Sequence, residues 1–198
     1  MTITATAPRT NVGSRHPELY GTITTMAALA EKAALAEGLS PLLIELIKIR
    51  VSQINGCAYC LRIHTADSLA KGETQDRLSV LPAWRETRYF DEQERSALAL
   101  AEYLTLVKDS HANRHMYEAA AEHLTPLQLS AVTWVAMAIN TFNRIAIGSS
   151  YRVAPDCSAE LRCRRMPRSP PPGPACPAGR QPGNHRVHAC WLSVHWDA

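Results

Sequence analysis

The sequence lacks the features that mark a secreted or membrane-spanning protein. Its first 20 residues contain no apolar core flanked by a basic start and a cleavage site, so no secretory signal is visible. The longest apolar stretch, around Val135, is about nine residues, whereas a membrane-spanning helix needs about 20. We therefore expect a soluble, cytoplasmic protein.

The body of the chain has no excess of charge of either sign. The net charge is +3, but residues 155–198 hold six arginines, no lysine and three acids. Residues 1–154 are left with 15 basic and 15 acidic residues. Proteins that bind nucleic acids or membrane surfaces usually carry a basic patch on the folded domain. Partners of these two kinds are therefore not expected.

Cysteine is scarce, and most of it is scattered. Six cysteines in a chain without a visible signal peptide do not indicate a disulfide framework, because the cytosol keeps thiols reduced. Only Cys57 and Cys60 are close together in the sequence. A C-x-x-C pair in that compartment is more often catalytic or metal-binding than structural.

No segment alternates apolar and polar residues as a strand does, so the sequence predicts an all-α domain. Ser40 and Thr125, each followed by proline, are typical of a helix start, and Asp91 with Glu94 forms a predicted capping box. The predicted helices cover residues 17–36, 41–53, 57–71, 75–80 (ended by Pro82), 92–107, 113–124 and 126–147.

Three regions are predicted along the chain. Residues 1–16 show no periodicity and are expected to form a flexible N-terminal arm, and residues 17–154 form the helical domain. Residues 155–198 hold eight of the 13 prolines and four of the six cysteines, which predicts a disordered tail. Its use of arginine without lysine resembles a GC-rich gene read out of frame. Sequencing the gene past codon 155 tests that hypothesis.

Four residues form a constellation typical of thiol redox chemistry. Cys57, Cys60 and His64 lie within an arc of about 60° on one helical face. Cys57 is at the helix start, where the helix dipole favours a thiolate, whereas His64 is one turn after Cys60 and can accept its proton. Glu45, on the preceding helix, can orient the imidazole if the two helices form an antiparallel hairpin.

The helix dipole favours attack by Cys57, and the neighbouring base favours attack by Cys60. We predict that Cys60 attacks, because a positioned base does more than a partial charge. Cys60 would attack a peroxide oxygen and become a sulfenic acid, and Cys57 would capture it as a disulfide. A dithiol reductant must then reopen the disulfide.

Glu45 and His64 also have simpler interpretations. Glu45, Lys48 and Ser52 form a polar stripe, so Glu45 would face solvent and pair only with Lys48. His64 alone would more often be an ordinary helix residue than a base. The cysteine pair favours the redox interpretation, because two cysteines at this spacing rarely serve packing alone.

Zinc binding is the main chemical alternative. Cys57, Cys60 and His64 offer three ligands, but a structural zinc site needs a fourth, and the body of the chain has no second pair at zinc-finger spacing. We therefore expect no metal and no cofactor. The other cysteines and histidines considered, none at a common zinc-finger spacing, are His111, His115, Cys176, His185, His188 and Cys190.

The spacing of the four residues resembles the signature of the AhpD-like alkylhydroperoxidases, within the carboxymuconolactone decarboxylase superfamily. Eleven residues separate Glu45 from Cys57, two separate Cys57 from Cys60, and three separate Cys60 from His64. The surrounding sequence, ELIKIRVSQINGCAYCLRIHTADSLAKGE, also resembles the family core. The resemblance covers about residues 14–154. It implies an all-α fold that assembles into dimers, trimers or hexamers. It also implies that Cys60 is the peroxide-reactive cysteine and that Glu45 and His64 form its proton relay.

The resemblance implies a dithiol reductant, either a lipoyl-bearing or a thioredoxin-like protein, and some members instead reduce a peroxiredoxin. One position departs from the family pattern. Some members carry histidine immediately before the second cysteine, where this chain has Tyr59. Tyr59 is expected to pack either at a subunit contact or over the thiols.

The leading functional prediction is a thiol-dependent peroxidase that reduces hydroperoxides. A decarboxylase of the carboxymuconolactone type is one alternative, although its chemistry needs proton transfer and no dithiol. A non-catalytic protein whose disulfide switches an interaction is another. Such a switch would be oxidised once and stop, whereas an enzyme would turn over.

Overall fold

The computed structural model describes residues 9–110 and 114–154, and within those ranges it is helical and contains no strand. The all-α prediction is therefore confirmed. In chain order the helices are α1 (Val12–Arg15), α2 (Pro17–Ala36), α3 (Pro41–Asn55), α4 (Ala58–Ala70), α5 (Gln75–Val80), a 3-10 helix (Leu81–Glu86), α6 (Glu92–Thr105), α7 (Val107–Ser110), α8 (Arg114–Ala120) and α9 (Pro126–Gly148). Among the described residues, no helix is both long and apolar enough to cross a bilayer.

The helix starts follow from local capping, as predicted. The Ser40 hydroxyl accepts the backbone N–H of Leu43, with Pro41 in the first turn of α3. Asp91 caps α6 and Thr125 caps α9, each in a complete capping box. These caps use hydrogen bonds between residues three apart, which explains why the sequence alone located these starts.

Gly56 joins α3 to α4 through a very short turn. Its φ is 66° and its ψ is 30°, the left-handed conformation that glycine adopts without steric cost. Cys57 follows as the N-cap of α4. The turn therefore places the cysteine pair at the end of a helical hairpin.

Helix α3 is the centre of the fold, because it packs against α4, α6 and α9. Its apolar residues are almost completely buried around the helix, and so are three polar ones, Glu45, Lys48 and Ser52. The predicted solvent-facing polar stripe is therefore wrong. Neighbouring helices cover the face that the sequence of α3 alone assigned to water.

Several helix ends differ from the predictions: α3 extends to Asn55 rather than Gln53, and α8 ends at Ala120 rather than Leu124. Helix α6 ends at Thr105 rather than Val107, because Leu106 leaves the helical conformation (φ −94°, ψ 44°) and α7 begins after it. Pro82 follows the end of α5, as predicted, but it lies in the first turn of a 3-10 helix that continues the chain. Proline suits that position because the first N–H groups of a helix have no partner within the helix.

The predicted N-terminal arm is partly ordered. Asn11 caps α1, and the backbone N–H of Val12 donates to the Ser149 hydroxyl at 3.1 Å. Part of the arm is thereby held against the end of α9. Residues 1–8, the first residue of the predicted 113–124 helix, and the 155–198 tail lie outside the described residues.

Candidate active site

The hairpin of α3 and α4 brings Glu45 and His64 together. The Glu45 carboxylate and the Nδ1 atom of His64 are 2.9 Å apart, with Glu45 on α3 and His64 on α4. The Glu45 side chain is completely buried, and that of His64 is 12% exposed. The expected orienting contact is therefore present in the structure.

Two lysines share the other oxygen of Glu45. Lys48 Nζ donates to Oε1 at 3.1 Å and Lys71 Nζ donates to the same atom at 2.6 Å. Burial by itself raises the pKa of Glu45, but the His64 hydrogen bond, the charges of Lys48 and His64 and the Lys71 hydrogen bond outweigh it and lower the pKa to about 2. The solvent-facing interpretation of Glu45 is wrong, although its pairing with Lys48 is confirmed.

The two thiols are in direct contact at the start of α4. Their sulfur atoms are 2.8 Å apart, and the Cys57 sulfur also accepts the backbone N–H of Cys60 at 3.4 Å. Both cysteines are free thiols, with Cys57 1% exposed and Cys60 4% exposed. Because the sulfurs already touch, a disulfide can form between them without moving either helix.

Cys60 is a protonated thiol at neutral pH in this arrangement. Burial raises the pKa of Cys60 to about 12, and its hydrogen bond with Cys57 adds to the rise. The Asn143 side chain lowers the pKa of Cys60 without cancelling the rise. Since only a thiolate is a strong nucleophile, a base must remove the Cys60 proton before this sulfur can attack.

Within the described residues, His64 makes no hydrogen bond to either sulfur, which differs from the sequence-based expectation. In the part of the chain that the structure describes, its hydrogen bond is to Glu45. An ionised carboxylate on Nδ1 holds the proton at that nitrogen, which leaves Nε2 as the basic one. A proton from Cys60 would reach Nε2 only through a bridging water or substrate.

Sequence reasoning missed Asn143, a polar side chain that lowers the pKa of Cys60 and hydrogen-bonds to Ser52 and Asn55 on α3. Asn143 is on α9, completely buried, 83 residues from Cys60 in the chain. One signal was available, because Asn140 and Asn143 are two amides three residues apart on a largely apolar helix. Buried amides need hydrogen-bond partners, so such a pair predicts a polar contact in the core.

A tyrosine pair packs against the core cluster to which both cysteines belong. Tyr59 and Tyr151 pack edge to face with ring centroids 5.0 Å apart, against the core cluster that contains both cysteines. Burial raises the pKa of Tyr20, and so do Tyr151, Tyr59 and Cys60 nearby. Both positions expected for Tyr59, over the thiols or at a subunit contact, stay predictions.

The zinc ligands suggested by the sequence do not converge. Within the described ranges, the set of potential ligand atoms that comes together is Glu45, His64 and Asp67, within 4.8 Å of one another, and it includes neither sulfur. Lys48 and Lys71 already neutralise Glu45 there. Their positive charges oppose a bound cation.

The chain is similar to proteins of one known family. The family model described as "Carboxymuconolactone decarboxylase family" matches residues 17–103. The uncharacterized protein YdfG of Bacillus subtilis (strain 168) is 40% identical over 110 residues, which are 56% of this chain and 75% of YdfG.

A similar fold has been solved by crystallography. The structure of an Agrobacterium tumefaciens protein of unknown function, for which a role in antioxidant defence as AhpD has been suggested, has a TM-score of 0.67 and 29% identity. The match covers 76% of this chain and all of that one. The chain belongs to the carboxymuconolactone decarboxylase family, within the AhpD-like superfamily of helical proteins.

Proposed function

We propose that the protein is a thiol-dependent peroxidase that reduces hydroperoxides through Cys57 and Cys60. One observation carries the proposal. Two free thiols touch at 2.8 Å at the start of α4, beside a buried carboxylate and imidazole joined at 2.9 Å. A structural core has no need of this combination, whereas peroxide reduction needs a nucleophilic sulfur, a resolving sulfur and a proton acceptor.

Deprotonation of Cys60 is the first step of the proposed reaction. A peroxide or water between Cys60 and His64 carries the thiol proton to Nε2, because no direct hydrogen bond joins the two residues. Glu45 then stabilises the imidazolium, since its low pKa keeps it ionised. The paired charges of Glu45 and His64 make this transfer less costly in a buried site.

The sulfur then attacks the terminal oxygen of the hydroperoxide. A sulfur–oxygen bond forms, the oxygen–oxygen bond breaks, and the departing oxygen takes the proton from His64 to leave as an alcohol or water. Cys60 is now a sulfenic acid. The Cys57 sulfur attacks it, water leaves, and a Cys57–Cys60 disulfide forms. An external dithiol then supplies two electrons to the disulfide. The dithiol is oxidised to its own disulfide, and the thiols of Cys57 and Cys60 are regenerated.

We also propose the reductant, the oligomeric state and the cellular compartment of this reaction. The reductant is a lipoyl-bearing or thioredoxin-like protein, and the chain works as a homo-oligomer in the cytoplasm. A small-molecule dithiol such as dihydrolipoamide can replace the protein donor in an assay. The proposal includes no metal and no cofactor.

The test is steady-state consumption of an organic hydroperoxide with dihydrolipoamide as donor. Cys60→Ser should abolish consumption, because it removes the attacking sulfur. Cys57→Ser should also stop turnover but leave a sulfenic acid on Cys60 that dimedone traps. Cys157→Ser, outside the described residues, is the matched control and should retain activity.

Three outcomes would contradict or change the proposed mechanism. Full activity in Cys60→Ser would exclude this mechanism. If the sulfenic acid instead accumulates on Cys57 in the Cys60→Ser variant, the two cysteines exchange roles. A burst of one disulfide per chain with no further consumption would identify a redox switch rather than an enzyme.

The family match also supports a decarboxylase as a second candidate. Its supporting observation is that the Glu45–His64 pair can transfer a proton without using sulfur. A decarboxylase of this type should act on a small lactone and remain active when both cysteines are replaced by serine. Loss of lactone turnover in His64→Gln, together with no peroxide turnover by the unmodified protein, would favour this candidate.

A further inference from the structure

The two oxygen atoms of the buried Glu45 carboxylate have different partners. Oε1 accepts from Lys48 Nζ at 3.1 Å and from Lys71 Nζ at 2.6 Å, whereas Oε2 lies 2.9 Å from Nδ1 of His64. The last torsion of a glutamate side chain has no sharp minimum, so the partners decide which way the carboxylate turns. Two ammonium groups on one oxygen leave the other oxygen for the imidazole.

The two lysines are not equivalent. Lys48 is on α3, beside Glu45, and it also donates to Glu31 on α2 at 3.1 Å. Its positive charge is therefore shared between two carboxylates. Lys71 is the C-cap of α4, the helix that carries His64, and it forms an ion pair with Glu45. Within the described ranges, Lys71 is thus the cation of this site that Glu45 does not share with another carboxylate.

A second carboxylate lies beside the same imidazole. An oxygen of Asp67, one turn after His64 on α4, lies within 4.8 Å of the ligand atoms of both Glu45 and His64. The two carboxylates repel each other at this distance, and both are potential acceptors for the imidazole. The positive charge of Lys71 on Oε1 offsets the repulsion and favours Glu45 as the acceptor.

We propose that Lys71 is a positioning residue for the site. By holding Oε1 of Glu45, its ammonium group keeps Oε2 on the Nδ1 atom of His64, which fixes the imidazole proton at Nδ1 and leaves Nε2 as the base. The value of this arrangement for peroxide reduction rests on the proposed function. The effect of Lys71 on the tautomer of His64 does not depend on that function.

The physical reason is that a neutral imidazole carries one proton, and its partner decides which nitrogen holds it. An ionised carboxylate only accepts, so it keeps the proton on Nδ1. Burial raises the pKa of Glu45, and Lys71 is among the partners that lower it to about 2. Without this support the carboxyl group would turn away or take up a proton. A protonated carboxyl donates to Nδ1, which places the imidazole proton on Nε2 and blocks the base.

The test is the tautomer of His64, measured by nitrogen NMR. The protonated and unprotonated nitrogens of a neutral imidazole give well separated signals. The full-length protein is labelled in histidine, and the signals of His64 are those lost in His64→Gln, since the chain has eight histidines. Spectra are recorded in the pH range where these signals no longer change with pH.

Four variants are compared with the unmodified protein. Lys71→Met removes the charge at similar length, and it should be tolerated because the Lys71 side chain is 31% exposed. Lys71→Arg keeps the charge. Asp67→Asn, combined with Lys71→Met, removes the competing carboxylate. Lys32→Met, at an exposed position on α2, is the matched control.

We expect the proton on Nδ1 in the unmodified protein, in Lys71→Arg and in Lys32→Met. In Lys71→Met we expect about one tenth of the molecules to keep this tautomer, so the first oxidation of Cys60 should be about tenfold slower, because only that fraction is competent. Adding Asp67→Asn to Lys71→Met should restore the Nδ1 tautomer, which loss of packing alone would not allow.

An unchanged His64 tautomer in folded Lys71→Met would overturn the proposal, and so would a changed tautomer that Asp67→Asn does not restore. If Lys71→Met does not fold, Lys71→Gln, which is polar but uncharged, decides by the same signals. Because the tautomer is measured without peroxide, a changed tautomer in a protein that never consumes peroxide would support the positioning role and reject the peroxidase function alone.

Discussion

At the scale of single residues, Glu45 is the most heavily paired charge at the site. Three positively charged or proton-donating groups surround one carboxylate that has no exposed surface. A carboxylate buried without partners would be neutral, so the partners keep it charged. The same pairing makes this residue important for stability as well as for the proposed proton transfer.

The lowered pKa of Glu45 predicts a loss of stability in acid. The value falls from 4.5 to about 2 on folding, so the carboxylate stabilises the folded state by up to about 3 kcal/mol above pH 4.5, and this is lost as the pH falls toward 2. Glu45→Gln should therefore lower the free energy of unfolding at neutral pH by a few kcal/mol. It should also flatten the dependence of that free energy on pH between 4.5 and 2.

Urea unfolding at several pH values measures this effect. Glu86→Gln, at an exposed position, is the matched control and should stay within about 0.5 kcal/mol of the unmodified protein. If the free energy of unfolding depends on pH equally in Glu45→Gln and in the unmodified protein, the lowered pKa of Glu45 is contradicted.

His64 has a predicted kinetic effect that is separate from stability. If it accepts the Cys60 proton, His64→Gln should slow the first oxidation of Cys60 by about 100-fold, since general bases contribute on the order of 10² or more. Stopped-flow measurement of a single oxidation isolates this step from reduction of the disulfide. His123→Gln, an exposed histidine paired with Glu92, should oxidise at the normal rate. A normal rate in His64→Gln would remove His64 from the relay.

At the scale of elements, the turn between α3 and α4 determines where the thiols lie. Gly56 reverses the chain in one left-handed residue, and Cys57 then caps α4 with its sulfur on the Cys60 N–H. The sulfur of Cys57 therefore serves both as a helix cap and as the proposed resolving thiol. Any change in the turn should affect stability and disulfide geometry together.

Gly56→Ala should destabilise the protein by about 1 kcal/mol, because alanine is strained at a φ of 66° even though the added methyl group meets no atom within 4 Å. Gly21→Ala, inside α2 with equally open space, is the matched control. It should instead stabilise the protein by about 0.5 to 1 kcal/mol. Thermal unfolding of the two variants compares them, and stabilisation by Gly56→Ala would contradict the role of the turn.

At the scale of the whole molecule, α2 and α9 pack against each other and leave large apolar side chains exposed. Leu29 is 61% exposed, Leu127 is 63% exposed and Trp134 is 48% exposed. Single exposed apolar residues are ordinary, but several on two adjacent helices are typical of a subunit contact. This pattern supports the proposed homo-oligomer.

Light scattering during size-exclusion chromatography tests the oligomer against the 21.8 kDa mass of one chain. The unmodified protein should elute as a multiple of that mass, and Trp134→Glu should shift it toward the monomer, because burying a carboxylate at an apolar contact is costly. Leu106→Glu, which lies outside both helices and is 43% exposed, should leave the mass unchanged. A monomeric unmodified protein would exclude the homo-oligomer.

The sequence alone determined the helical class and the positions of most helix starts, and it predicted the four candidate site residues. Helix starts at Ser40, Asp91 and Thr125 depend on hydrogen bonds between residues three apart, which are visible in the sequence. The spacing of Cys57 and Cys60 likewise predicts their contact, because both belong to one helical turn. Such local relations need no knowledge of the rest of the fold.

Only the tertiary structure decided which side chains are buried and what His64 and the two cysteines contact. The polar face of α3 seemed to belong to water because amphipathicity assumes one solvent-facing side, whereas other helices surround α3. His64, the neighbour in the sequence that was expected to take the Cys60 proton, hydrogen-bonds to Glu45 of α3, whereas Cys60 contacts Cys57. Burial and long-range hydrogen bonds depend on how distant helices pack, and the pattern of one helix does not contain that information.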